Sequence, residues 1–240
     1  MKIYTYFDGN DPLLKQLIEL WKRSWARHGY VPVVLGVNDA KAHPYYDTLD
    51  TEMKRYYHII SGQHINSFGM NCWHRWLAYA TRQEPRFYVS DFDAINMNFP
   101  LKTPEEQLHL MDADCPFLAS GSPQQFTRLC EAFVDVTANR IDEIKIQTNR
   151  YHDQEFFHLN CTSHNPDHTK VVNKYQLKLT RERDILGNGY YPDGVDDNPE
   201  TYGVYHISHS NIRTILGGPP KDESYRVQLV SDLLAGIEYK

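Results

Sequence analysis

Asp91 and Asp93 stand directly after Arg86–Ser90 (RFYVS), a short apolar run rich in β-formers. Two carboxylates with one residue between them can share a hard divalent cation. Mn²⁺ or Mg²⁺ held in this way takes its remaining ligands from water and from the phosphate oxygens of a substrate. A bare Asp-x-Asp elsewhere is often a turn cap beside a solvated charge. The position here favours the ligating reading, because ligands of parallel α/β sheets bind beyond the carboxyl ends of the strands. The chain carries a formal net charge of −6 and no long basic run, so a phosphorylated ligand needs a local positive charge, which a bound cation supplies. The same balance argues against general nucleic-acid binding.

Several other residues carry a functional reading, most of them beside a structural one. Arg75 lies in Cys72–Arg82 (CWHRWLAYATR), a helical pattern leading into the Asp-x-Asp strand. It reads as a contact to phosphate or ribose, as a partner of one aspartate, or as a surface arginine. Asp39 follows the second expected strand and can meet a base or ribose, or cap a helix. Asp153 stands where a cap would stand, at the head of DQEFFHLN, whereas Glu155 inside that helix is harder to explain by capping. His206 and His209 are three apart. On one strand they face opposite ways, so one of them serves a given site unless a turn intervenes. Tyr45, Tyr46, Tyr56 and Tyr57 suit stacking on a sugar or base, or simply pack. Asp193, Asp196 and Asp197 in PDGVDD read as solvated loop charges.

These side chains need a scaffold. Lys2–Phe7 (KIYTYF) reads as a strand, and Asp11 before Pro12 as an N-cap with proline at the first helical position. Leu14, Leu17, Ile18, Trp21 and Trp25 recur with helical period, and Gly29 closes that helix. Pro32–Gly36 (PVVLG) is a second strand. A strand, a helix and a strand within about 35 residues make a βαβ unit and imply a parallel sheet. Asp39–Gln63 reads as short helices. Ser122-Pro123 opens a helix with Phe126, Leu129, Cys130, Phe133 and Val134 inward, and a short helix covers Asp153–Asn160. Val171–Leu179 and Gly203–His209 read as strands, Gly187–Glu200 as a long loop, and Asp222–Ile237 as an amphipathic helix. The expectation is an α/β fold: one domain over 1–240, Rossmann-like, with a mixed, mainly parallel central sheet flanked by helices.

In this order of elements the chain resembles the GT-A class of glycosyltransferases, which use nucleotide-sugars. The segment CWHRWLAYATRQEPRFYVSDFDAIN is similar to that family's helix-then-strand approach to its DxD motif, DQEFFHLN resembles its DQD-type motif, and YHISHSN (Tyr205–Asn211) resembles its strand-end histidine segment. Gln83-Glu84-Pro85 replaces a frequent Gly-Gly pair. The resemblance implies a donor-binding half over 1–98 that ends in the DxD, and an acceptor-binding half over 99–240. It implies that Asp91, Phe92, Asp93, Arg75, Asp39, Asp8 and Gly9 line the site of a UDP- or GDP-sugar. It further implies that Asp91, Asp93 and His206 or His209 hold Mn²⁺ or Mg²⁺. Asp8-Gly9-Asn10-Asp11 is equally well a turn and cap. Asp153 and Glu155 are then the carboxylates that take a proton from the hydroxyl of a carbohydrate or other acceptor in an inverting enzyme, or orient the substrates in a retaining one.

Two enzymes and a binding module compete with this reading. A haloacid-dehalogenase-like phosphatase also places DxD after a strand and would use Asp91 as nucleophile. That family prefers Thr or Val where Ile95 stands, and its DxD follows the first strand. A nucleotidyltransferase usually opens on a Gly-rich basic loop, which FDGNDP is not. A non-catalytic nucleotide- or sugar-binding module is the third. Hydrophobic content of 41% and aromatic content of 13% fit a globular chain and exclude general disorder. No run approaches the roughly 18 apolar residues of a membrane span, and MKIYTYFDGND lacks a signal-peptide core, so the expected location is the cytoplasm. Cys72, Cys115, Cys130 and Cys161 are widely spaced, as reduced packing cysteines are.

Overall fold

The structure is a computed structural model, and it describes residues 1–111, 116–161, 174, 177–179, 186–187, 203–208 and 223–238. Asp11 caps the first helix as its sequence implies: its carboxylate accepts from the amides of Leu13 and Leu14 at 2.8 and 3.3 Å. β1 (Lys2–Tyr6), α1 (Pro12–Ala26) and β2 (Val31–Leu35) form the expected βαβ unit, with β1 and β2 parallel. Gly29 turns the chain between α1 and β2 at φ +83°, a conformation that glycine adopts without steric cost. Then follow α2 (Val37–Lys41), α3 (Tyr46–Ser61), α4 (Ser67–Ala80), β3 (Phe87–Ser90), β4 (Ala94–Asn96), β5 (Leu108–Leu110), β6 (Leu118–Gly121), α5 (Pro123–Gln147) and α6 (Asp153–Cys161). β7 (Leu177–Leu179), β8 (Leu186–Gly187), β9 (Val204–His206) and α7 (Ser224–Glu238) complete the described elements.

The main sheet has six strands in the order β2-β1-β3-β6-β5-β7. Only β6 runs against the others, since it is antiparallel to β3 and to β5 while the remaining pairs are parallel. This is the mixed, mainly parallel sheet expected from the sequence. Alternation along the strands divides the core between the two faces. Tyr4, Tyr6, Phe87 and Val89 pack under α3, α4 and α5. Ile3, Tyr88 and Leu118 pack under α1 and α7, against Trp21, Trp25, Val230 and Leu234. A smaller sheet, β4-β9-β8, pairs Ala94 with His206.

Some elements differ from expectation. Asp39–Gln63 is dominated by one 16-residue helix, α3, and not by several short ones. β4, β5 and β6 were not anticipated: each has three or four residues and is wholly buried, too short to display a period. α5 runs on to Gln147 through a non-helical Arg140 (φ −127°, ψ 15°). The expected strand over Val171–Leu179 is described only at Leu177–Leu179. The Gly187–Glu200 loop beyond its first residue, with Asp193, Asp196 and Asp197, lies outside the described residues, as does Cys115.

Candidate metal centre

The Asp91–Asp93 turn is fastened on several sides. Asp91 donates its amide to Phe117 O at 2.9 Å, and the amide of Ala94 closes the turn onto Asp91 O at 3.1 Å. From α1, the indole of Trp21 donates to Ser90 Oγ at 2.9 Å and that of Trp25 to Ala94 O at 3.0 Å. Phe92 rests edge-on against Phe7, with ring centroids 5.6 Å apart. β9 delivers His206 beside this turn, because its register with β4 sets His206 opposite Ala94 and the amide of Ile207 bonds to Asp93 O at 2.9 Å. The ring of Phe117 stacks on His206 at 4.2 Å and fixes its plane.

Three potential ligand atoms converge here. His206 Nε2 is 3.4 Å from Asp93 Oδ1 and 4.0 Å from Asp91 Oδ2, and one atom of each residue lies within 4.8 Å of the others. Adjacent ligands of an octahedral ion with bonds near 2.1 Å are about 3 Å apart, so the spacing of these atoms is close to that of a shared cation's ligands. Two carboxylate oxygens and an imidazole nitrogen suit a divalent ion that accepts both oxygen and nitrogen ligands.

The other oxygen of each carboxylate is held by a guanidinium. Arg75 from α4 donates to Asp91 Oδ1, and Arg226 from α7 donates to Asp93 Oδ2. Burial raises the Asp91 carboxyl above its ordinary range against the pull of Arg75. For Asp93 burial again pushes upward, but His206 and Arg226 outweigh it and bring the group down to about 2. Unlike environments thus pull the pair apart, which is a mark of functional sites and also of structural ion-pair networks.

Arg75 also reaches Asp153, with Nε at 2.9 Å and a terminal nitrogen at 2.5 Å from Oδ2, and the indole of Trp76 donates to the same oxygen at 2.8 Å. Asp153 is only 2% exposed; burial raises its carboxyl, yet Arg75 and His152 hold it below the usual range. Glu155, which the sequence did not explain by capping, does cap: it accepts the amide of His152, at the N-terminus of α6, at 3.2 Å. It also faces His152 Nδ1 at 2.9 Å and Arg150 Nε at 3.1 Å. Burial works against the His152 cation, but Asp153 and Glu155 prevail and lift it to about 9. Cys72, His152 and Asp153 form a second group whose polar atoms lie within 4.8 Å of one another, with the Cys72 thiol raised by burial.

Among the residues singled out in the sequence, Arg75, Asp91, Asp93, Asp153 and His206 therefore meet in one cluster. Asp8 and Gly9 are exposed at the end of β1, and Asp8 O faces Asn71 Nδ2 at 3.5 Å. Asp39 caps α2 through the Gly36 amide at 2.9 Å and pairs with Arg82 at 2.9 Å. His209 lies outside the described residues. Sequence reasoning missed Arg226, Trp76, His152 and Phe117. Arg226 was detectable in principle, since it falls in step with Val230 and Leu234 on the buried stripe of α7. A charge on an apolar stripe calls for a partner. Phe117, an aromatic in a short strand region, gives no such signal.

No family model matches the chain, and no curated protein matches it. Among solved structures it is similar to the apo form of glycosyltransferase GlyE from Streptococcus pneumoniae TIGR4, at a TM-score of 0.40 and 12% identity over 94% of this chain. The chain spans 62% of the length of that structure. Among the described residues, no helix is long and apolar enough to cross a membrane.

Proposed function

We propose that the chain is a metal-dependent glycosyltransferase that moves a sugar from a nucleoside-diphosphate sugar, with UDP or GDP as carrier, to an acceptor hydroxyl. One observation carries this reading: Asp91, Asp93 and His206 turn three ligand atoms toward one point beyond the end of β3. Those residues would hold Mn²⁺ or Mg²⁺, which when bound supplies positive charge for the diphosphate as it leaves. Asp93, whose carboxyl His206 and Arg226 hold below the ordinary range, presents Oδ1 while Arg226 keeps Oδ2. Arg75 stands beside the centre as a cation oriented by Asp153, whose Oδ2 also accepts from Trp76, and would meet a phosphate oxygen of the donor. Asp153 and Glu155 both hold their protons weakly and both face cations. That charge balance supports an orienting role for them over proton abstraction. The nucleoside would lie along the end of β1, against Phe92 and the exposed Asp8-Gly9 turn.

The test is a panel of nucleotide-sugars incubated with Mn²⁺ or Mg²⁺ and assayed for nucleoside diphosphate, with Asp93→Asn as control. Metal-dependent release from one donor, reduced at least a hundredfold in Asp93→Asn, is the expected result. Release of inorganic phosphate from simple phosphate esters, without any nucleoside diphosphate from the panel, would overturn the reading in favour of a hydrolase acting through Asp91.

A further inference from the structure

Arg226 lies 133 residues from Asp93 in sequence and is 3% exposed. Its guanidinium serves three acceptors at once. One terminal nitrogen donates to Asp93 Oδ2, the other donates to Glu223 Oε2 at 2.9 Å, and Nε donates to Ile207 O at 3.1 Å. The amide of Ile207 in turn donates to Asp93 O at 2.9 Å. Asp93, Ile207 and Arg226 therefore close a ring of hydrogen bonds, and His206 is the residue immediately before Ile207. The helix that carries Arg226 packs on α1, whose Trp25 bonds to Ala94 O just after the acidic turn.

We propose that Arg226 is a positioning residue that locks Asp93 and the His206 end of β9 into one cation-binding arrangement, so that docking of α7 sets the affinity of the metal centre. This rests on the metal-centre reading above. The fork fixes the rotamer of Asp93 so that Oδ1 faces His206, and it fixes the backbone on which His206 rides. A planar guanidinium spans these acceptors at defined angles, whereas an ammonium at the same place keeps the charge and loses the geometry. Outer contacts of this kind typically change metal affinity ten- to a hundredfold when removed. Simple electrostatics gives the opposite sign, because deleting a cation beside a cation site tightens binding. The direction of the change therefore decides between a clamp and a bystander charge.

Mn²⁺ binding by the full chain is to be followed by loss of the free-ion EPR signal for wild type, Arg226→Gln and Arg226→Lys. The proposal expects the dissociation constant to rise ten- to a hundredfold in Arg226→Gln and at least several-fold in Arg226→Lys. Unchanged or tighter binding by a folded Arg226→Gln overturns it, and so does wild-type affinity in Arg226→Lys, which decides the matter if the glutamine variant does not fold. Hydrogen exchange of the metal-free proteins gives an arm independent of the ion. The Ile207 amide is expected to exchange at least tenfold faster in Arg226→Lys while Val89 in β3 keeps its rate, and an unchanged Ile207 overturns the clamp. A wild type that binds no Mn²⁺ refutes the metal-centre reading and the affinity claim with it; the exchange arm then rules on the clamp alone.

Discussion

Arg75→Met removes the cation shared by Asp91 and Asp153 and keeps the length of the side chain. Arg75 spends three donors on these carboxylates, and its side chain is 16% exposed against 3% for Asp153 and 26% for Asp91. Trp76 still serves Asp153 Oδ2 in the variant, so that oxygen is not orphaned. Taking one member from a buried ion pair costs about 3–5 kcal/mol, because the partner charge remains without compensation. For a chain of this size that is a fall in melting temperature of roughly 6–20 °C. The loss also depends on pH with a definite sign. Burial already holds Asp91 above the ordinary carboxylate range with Arg75 opposing it, and removal of Arg75 raises it further. A carboxyl whose folded pKa lies above its unfolded value binds a proton on folding, so stability falls as pH rises through that window. The deficit of Arg75→Met is therefore larger at pH 7 than at pH 5. Urea titration of both proteins at the two pH values measures it. A loss below about 1 kcal/mol at pH 7, or one of equal size at pH 5, would refute the ion-pair reasoning.

His152 gives the complementary case. Its folded pKa of about 9 lies above the ordinary value of 6.5, so its stabilisation is complete below pH 6.5 and is lost as pH rises toward 9. His152→Gln is expected to cost at most about 3 kcal/mol at pH 6 and little at pH 9.5, as read by thermal unfolding. Gly29→Ala places a Cβ at φ +83°, 3.5 Å from Leu101 Cδ2. A loss of about 1–2 kcal/mol in urea titration is expected from backbone strain, and a neutral substitution would refute that reading.

The elements that the sequence displayed best were those with both a period and a boundary signal. α1 combines Asp11, Pro12 and Gly29 with buried Leu17, Ile18, Trp21 and Trp25, and its bounds followed from those residues. β4, β5 and β6 offered neither; β5 and β6 pair with each other, and their remaining partners, like that of β4, are strands more distant in sequence. At the site, Asp91, Asp93 and Arg75 drew notice through their position, two carboxylates directly after a strand and an arginine on the helix that leads into it, although each residue type alone has an ordinary structural explanation. Glu155 shows the limit of that logic. Its interior position suggested chemistry, whereas it is the third helical residue and bonds back to His152. Arg226 escaped because helical periodicity records which residues face inward and says nothing of what they meet there. The meeting of α7 with β9 is a property of the folded chain alone.

Trp21, Trp25 and Trp76 are three of the four tryptophans, and each spends its indole N–H on the skeleton of the acidic cluster, at Ser90, Ala94 and Asp153. Indole emission depends on the electric field and the hydrogen bond at that nitrogen, and paramagnetic ions a short distance away quench it. The protein thus carries its own optical probes around the centre, on α1 to one side and α4 to the other. Binding of a paramagnetic ion such as Mn²⁺, as proposed for this site, would then be followed on the unlabelled chain.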